Sequence, residues 1–338
     1  DPNRGDVHYW EVWHGNKPFS EYRKYFFRYA SEFGFQSFPS VKTLETVTDD
    51  PKELNPFSYV MEKHQRNYGG NGKIAKYMQA AYRYPENFSD FVYVSQLLQA
   101  DGIRYGVEHY RRNRGRCMGA IYWQLNDCWP VISWSSIDYY GRWKALHYYA
   151  KRFFAPVMLS CEEQSWMTVE ADMNRQHFEF EKSIRLNVTN ETLDAHRVLV
   201  KWAVRKTDAT ILREEEQWLE VPALSAVWMD KVELPQIDCF NEYVSYEAWE
   251  NDQIISQGTV IFSYPKYFHY LNPGLAVRVD GDEIVVKAEA YAKSVEIRNE
   301  NDDLILEDNY FDMNAGEYRV KILDGKPDGL KVRSVYDI

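Results

Sequence analysis

The chain has 338 residues, enough for two or three domains at roughly 150 residues each and too long for a peptide or a disulfide-stapled scaffold. Its 40 Lys+Arg against 51 Asp+Glu leave a net charge of −11, which repels nucleic-acid phosphates and anionic lipid surfaces, and no run approaches the roughly 20 apolar residues that cross a bilayer. Neither nucleic acid nor membrane is expected as a partner, whereas 26 Tyr, 17 Phe and 11 Trp exceed the needs of three ordinary cores and point to carbohydrate recognition.

The opening residues, DPNRGDVHYW, lack the basic-then-apolar plan of a secretory signal. Residues 1–154 mix short apolar runs with helical periodicity. Val7–Trp13 (VHYWEVW), Phe27–Phe33 (FRYASEF) and Met118–Leu125 (MGAIYWQL) read as three strands. Between the second and third, Pro56–Arg66, Ile74–Tyr84 and Phe88–Arg112 carry apolar residues at helical spacing, so an α/β layer is expected. GGNG at 69–72 does not follow a strand and reads as a loop between helices. A last helical run, WKALHYYAKRFF, ends at Ala155–Pro156 because proline supplies no amide hydrogen.

Beyond 155 the period changes. KSIRLNVTN, HRVLVKWAVR, SAVWMDKVEL, EYVSYEAWE and IISQGTVIFS alternate apolar and polar residues, as half-buried antiparallel strands do, and a sandwich of about seven strands fits 155–265. After the break around Pro265 and Pro273, LAVRVDGDEIVVKAEA, SVEIRNENDDLILED and YRVKILDG predict a second, smaller sandwich over 266–338, with a tight hairpin at Asp280-Gly281. Cys117, Cys128, Cys161 and Cys239 show neither CxxC spacing nor a dense framework; they read as mostly buried thiols and assign no compartment. The sequons at Asn187 and Asn190 read as strand-to-turn residues rather than glycan acceptors.

Glu32, in SEFGFQS, stands at the end of a predicted strand and before a glycine, where an α/β barrel presents catalytic groups; a carboxylate paired with Arg28 is the structural alternative. Trp123 holds the equivalent place on the third strand, with Asn126, Asp127 and Trp129 following, and serves either as a sugar platform or as a core indole. His8 and Trp10 share one face of the first strand, and matter for chemistry only if that strand adjoins the one bearing Glu32. No GxSxG elbow, HEXXH pair or Gly-rich phosphate loop occurs, and neither a metal nor a cofactor is called for.

GDVHYW, SEFGFQSFPS, MGAIYWQLNDCWPVISWSSIDYYGRWKALHYYAKRFFAP and the two trailing β regions together resemble the C-terminal part of β-mannosidases of glycoside hydrolase family 2. The resemblance implies a retaining exo-glycosidase that removes terminal β-D-mannose, built on a (β/α)8 TIM barrel followed by two immunoglobulin-like β-sandwiches. Residues 1–154 would then supply barrel strands six to eight, with Glu32 matching the nucleophile and His8, Trp10 and Trp123 the sugar subsite, while Asp127 is either a subsite or a loop-anchoring carboxylate. The family's general acid/base is the Glu of an Asn-Glu pair upstream of the nucleophile. The pairs present here, Asn190-Glu191, Asn241-Glu242 and Asn299-Glu300, all follow Glu32. A C-terminal fragment inactive alone is therefore expected, partnered by the missing N-terminal part and prone to self-association through open barrel edges. Two other readings stand beside it: another family 2 exo-β-glycosidase of glucosaminidase or galactosidase type, and a non-catalytic carbohydrate-binding or structural sandwich module.

Overall fold

The structure, a computed structural model, describes residues 1–169 and 179–338. Three short strands, β1 (Val7–His8), β2 (Ala30–Phe33) and β3 (Ala120–Tyr122), pair in parallel with β2 in the centre. They fall within the three expected runs but are shorter. Strand β1 stops at His8 because the amides of His14 and Gly15 both bond to the Trp10 carbonyl, winding residues 11–15 into a turn. The expected alternation through Trp13 therefore does not hold, and Val12 and Trp13 turn into the core instead.

Helices α1 (Val41–Leu44), α2 (Tyr59–Lys63), α3 (Gly70–Ala81) and α4 (Phe88–Arg112) fill the crossover from β2 to β3, and α5 (Ala145–Phe153) follows β3. The long α4 spans the residues that its periodicity predicts. Asn87 Oδ1 caps it by accepting from the Asp90 amide at 3.0 Å, and His109, Arg111 and Arg112 complement the negative end of its dipole. The GGNG run is not an interhelical loop: Gly69 adopts φ +72° and α3 begins at Gly70. A Cβ at Gly70 would lie 2.5 Å from Gln36 Oε1, so the helix approaches the segment after β2 more closely than any side chain would permit.

The first sandwich joins a sheet ordered β11-β10-β6-β7 to one ordered β4-β5-β8. Its strands are β4 (Val157–Gln164), β5 (Ser183–Asn190), β6 (His196–Lys206), β7 (Ile211–Val221), β8 (Ser225–Trp228), β9 (Val232–Glu233), β10 (Glu242–Glu250) and β11 (Gln253–Ile261), with β9 paired to β5. Two of them carry no alternation: β4 (VMLSCEEQ) is buried almost throughout, and β7 (ILREEEQWLEV) is an exposed, highly charged edge that discourages further strand pairing. The second sandwich sets β12 (Ala276–Asp280), β13 (Glu283–Ala288), β17 (Gly316–Asp324) and β15 (Ile305–Leu306) against β16 (Phe311–Met313), β14 (Ala292–Arg298) and β18 (Lys331–Arg333). Its hairpin turns at Gly281, φ +66°, with Asp280 paired to Glu283. Asn187 and Asn190 are wholly buried, and Asn190 Oδ1 accepts from the Thr192 amide in a turn. Cys117 and Cys161 are buried and Cys239 is half-buried, while Cys128 is exposed and so departs from the expected pattern. Among the described residues no helix is long and apolar enough to cross a membrane.

The cores do not follow chain order. Side chains of residues 1–154 and of the second sandwich form one continuous cluster, whereas the first sandwich has its own. Strand β14 is buried on both faces because α4 lies across it: Tyr93 Oη donates to the Ser294 carbonyl at 2.6 Å, and Arg333 pairs with Asp90 at 2.8 Å. The first sandwich is fastened by polar contacts. Arg23 Nη2 meets Glu163 Oε2 at 2.7 Å, and Tyr105 Oη donates to the other carboxylate oxygen. Burial alone would raise the Glu163 pKa, but the Arg23 guanidinium and the Tyr105 hydroxyl outweigh it and hold the carboxyl below its ordinary value.

Replacing Glu163 with Ala should cost about 3–5 kcal/mol by stranding a buried guanidinium, read as a lower denaturant midpoint. A folded pKa below the unfolded one, about 4.3, stabilises fully above that value and loses the contribution as pH falls through the folded pKa. The stability gap between wild type and Glu163→Gln should therefore narrow in acid melts below about pH 4.

Candidate active site

The parallel register of β1 and β2 sets His8 opposite Glu32. The condition placed on the His8–Trp10 segment is thus met. Glu32 lies one residue before the end of β2, where its two carboxylate oxygens are held separately: Trp10 Nε1 donates to Oε1 at 3.1 Å, and His8 Nδ1 faces Oε2 at 3.1 Å. Arg28, the alternative partner, is not bonded to Glu32 among the described residues. The His8 ring is otherwise open, with 59% of its side chain exposed, and its Nε2 looks toward Asp6 at 3.9 Å.

Glu32 opens onto a cavity of about 400 Å³ walled by Trp10, Trp123, Asp127, Trp129 and Trp134. Trp10 and Trp134 meet edge to face with ring centroids 6.0 Å apart. Trp123 is 46% exposed, so it is a wall indole rather than a core one, and its amide donates to the Phe33 carbonyl at 2.8 Å to continue the parallel pairing one step past β3. A cis peptide joins Trp123 to Gln124. Gly34 is required here: a Cβ would stand 2.5 Å from the Trp123 carbonyl oxygen and 2.9 Å from the Trp10 ring. His8, by contrast, touches Glu32 without lining the cavity.

Asp127 has both oxygens engaged. Oδ1 accepts from Ser133 Oγ at 2.7 Å and from Gln124 Nε2 at 3.3 Å, and Oδ2 accepts from Ser135 Oγ at 2.5 Å. Of its two readings, this geometry is that of a loop anchor whose side chain also reaches the cavity wall. Lys144 lies beneath the same loop, wholly buried, with Nζ donating to the carbonyls of Ser37 at 3.2 Å and Ser133 at 3.5 Å. Burial pushes its pKa down to about 8 against the opposing pull of Asp127 and Asp138. Arg66 and Trp134, which also line the cavity, and Lys144 are not marked in the sequence as site residues. A single Lys before a helix carries no local signal, whereas Trp134 between two serines in ISWSS has the period-two pattern that could have marked it. Among the described residues no group of three or more His, Cys, Asp or Glu could hold a metal.

Comparison with known proteins follows the same lines. Residues 182–267 match the Mannosidase Ig/CBM-like domain and residues 270–338 an Ig-fold domain. The chain is 30% identical to β-mannosidase B of Thermothelomyces thermophilus over 99% of its own length and 42% of that protein. It is 37% identical to the β-mannosidase of Capra hircus over 47% of its length and 19% of that protein. The crystal structure of β-D-mannosidase from Dictyoglomus thermophilum superposes with a TM-score of 0.85 at 27% identity, covering 99% of this chain and 40% of that one. An exo-chitosanase from Amycolatopsis orientalis shares the fold alone, at 14% identity and a TM-score of 0.66 over 98% of this chain and 45% of that one. These matches define a chain with two immunoglobulin-like β-sandwiches of the mannosidase type. The resemblance to the β-mannosidases of glycoside hydrolase family 2 holds along essentially the whole chain, which spans about two-fifths of the length of those relatives.

Replacing Asp127 with Ala should free the hydroxyls of Ser133 and Ser135 and loosen the 124–136 loop, read as faster amide exchange confined to that segment. Lys144 gives a pH signature. Between about pH 8 and 10 the folded state holds fewer protons than the unfolded one, so stability should rise with pH in that window, and this rise should be absent from melts of Lys144→Met.

Proposed function

We propose that this chain is the portion of a retaining exo-β-mannosidase that carries the nucleophile, and that Glu32 is that nucleophile. One observation carries the reading: a carboxylate at a strand end, with each oxygen held by a separate ring nitrogen, faces a tryptophan-walled cavity of sugar size. In this reading β1, β2 and β3 are the last three strands of a (β/α)8 barrel. Their short parallel pairing, the helical crossover between them and the exposure of Met118, Ile121 and Leu125 around the outer edge of β3 support it. The division into a barrel portion at 1–154 and sandwiches at 155–265 and 266–338 is supported by the change of strand pairing at β4 and by the span of the two family matches.

Trp10 and His8 fix the carboxylate so that Glu32 attacks the anomeric carbon without first reorienting, and the sugar ring lies against Trp123. A retaining mechanism needs a second carboxyl about 5–5.5 Å from the first to protonate the departing oxygen. Asp127, with both oxygens taken up by loop donors, is not disposed for that role. Glu191 pairs with Arg114 at 3.0 Å, and Glu242 opens β10 in the first sandwich. The acid therefore comes from elsewhere in the complete enzyme, whose upstream part is the partner of this chain, and a β-mannoside oligosaccharide is the substrate.

Treating the complete enzyme with a 2-fluoro-β-mannosyl fluoride should trap a covalent ester on Glu32, identified by peptide mapping. Glu32→Ala should abolish turnover of aryl β-mannosides while the melting temperature is kept. An adduct on another residue, or wild-type turnover by Glu32→Ala, would overturn the assignment.

A further inference from the structure

A second cavity, of about 450 Å³, lies away from Glu32, where α4, α5, strand β11 and the second sandwich meet. That size is in the range of small-molecule sites, about 300–1,000 Å³. Its walls are polar yet neutral: in a chain of net charge −11, this lining carries five acidic and five basic side chains. Most are paired among themselves, Arg104 with Asp101 at 3.3 Å, Lys293 with Asp312 at 3.3 Å, and Arg152 with Asp308, while Arg319 pairs with Asp280 and Glu283 outside the lining. Bringing an ion there would set it against charges already compensated.

Two phenols supply what the ion pairs do not. Tyr149 and Tyr246 line this cavity with largely buried rings, and their hydroxyls, which make no hydrogen bond among the described residues, are not sealed in the core but open to the cavity. A phenol hydroxyl that faces a cavity both donates and accepts, and is free to bond a polar ligand there. Tyr246 Oη is pressed against Gly258, where a Cβ would come within 2.5 Å, so the backbone holds the hydroxyl in place. Gln257 and Tyr318 add a mutually bonded amide and phenol to the same wall, at 3.2 Å.

We propose that this junction cavity binds a neutral saccharide of one or two rings, separately from the cavity at Glu32. Sugar hydroxyls both donate and accept, so they satisfy Tyr149 and Tyr246 and share the paired charges without adding a charge of their own. The wall is drawn from the α/β region and from both sandwiches, so a bound sugar ties the three together. The choice of mannose as the sugar to try first rests on the function proposed above; the preference for a neutral polyhydroxylated ligand does not.

The test is calorimetric titration of the full chain with mannose, mannobiose and glucose, with inorganic phosphate as the charged control. A saccharide should bind, and Tyr149→Phe and Tyr246→Phe should each weaken it about threefold to tenfold. Wild-type binding should also raise the melting temperature, by about 4 °C at a hundredfold excess over Kd. Binding of glucose without mannose would support the saccharide site while weakening the mannosidase reading. The proposal is overturned if no sugar binds, if phosphate displaces the sugar, or if Trp123→Ala abolishes binding that both phenylalanine variants retain.

Discussion

Three short parallel strands of two, four and three residues carry the candidate site, and their hydrogen-bond register is the constraint on which it depends. The Tyr9 amide donates to the Glu32 carbonyl at 2.7 Å, and the Trp123 amide to the Phe33 carbonyl at 2.8 Å. These two bonds, one on either side of β2, place His8 and Trp10 to one side of Glu32 and Trp123 to the other. A shift of one residue in the pairing of β1 with β2 would bring Tyr9 or Val7 in place of His8 beside Glu32, since successive strand side chains point to opposite faces. Gly34 enforces the same arrangement by letting Trp10 and the Trp123 carbonyl close over it.

Such a small sheet cannot keep its register alone, and helix α4 supplies much of the support. It packs against α3, α5 and β3 and against β4, β5 and β8 of the first sandwich, and it reaches the second through Tyr93 and Asp90. The two sides of that support differ in kind. Toward the second sandwich the contact is continuous with the apolar core and adds the Tyr93–Ser294 hydrogen bond and the Arg333–Asp90 ion pair at its margin. Toward the first it is made by Arg23, Arg112, Glu108 and Glu163, with Arg112 wholly buried and its pKa lowered by desolvation. Buried charge pairs demand defined geometry to offset their desolvation, so the first sandwich is held in orientation more than it is held by adhesion.

Much of this was legible in the sequence, for identifiable reasons. Helix α4 is legible to the residue because its apolar periodicity runs for about seven turns. Glu32 and Trp123 stand out in the sequence because a strand end followed by glycine or by a polar loop is a local pattern, and both line one cavity. The failures are equally physical. The end of β1 at His8 is set by the Trp10 carbonyl receiving two amides, which apolar residues through Trp13 do not reveal. The GGNG segment opens a helix whose glycine at 70 is needed to clear Gln36, a contact across more than thirty residues that the local sequence does not show. Strand β7 was missed because an exposed edge rich in glutamate has no buried face to print alternation on it, and Lys144 because its partners are carbonyls from distant segments.

The shared core of the α/β region and the second sandwich has a consequence for how the molecule is made. Tyr93 and Arg333, and the rings of Tyr93, Tyr148 and Tyr310, join the two across some two hundred residues of intervening chain. Synthesis runs from the N-terminus, so α4 emerges from the ribosome long before β14 and β18 exist to cover it. The first sandwich, with its separate core, is able to close in the interval. Until the last seventy or so residues arrive, the α/β region presents an uncovered aromatic flank to the cell. Its waiting time is set by the speed of translation, and it is during that wait that a chaperone would be of most use.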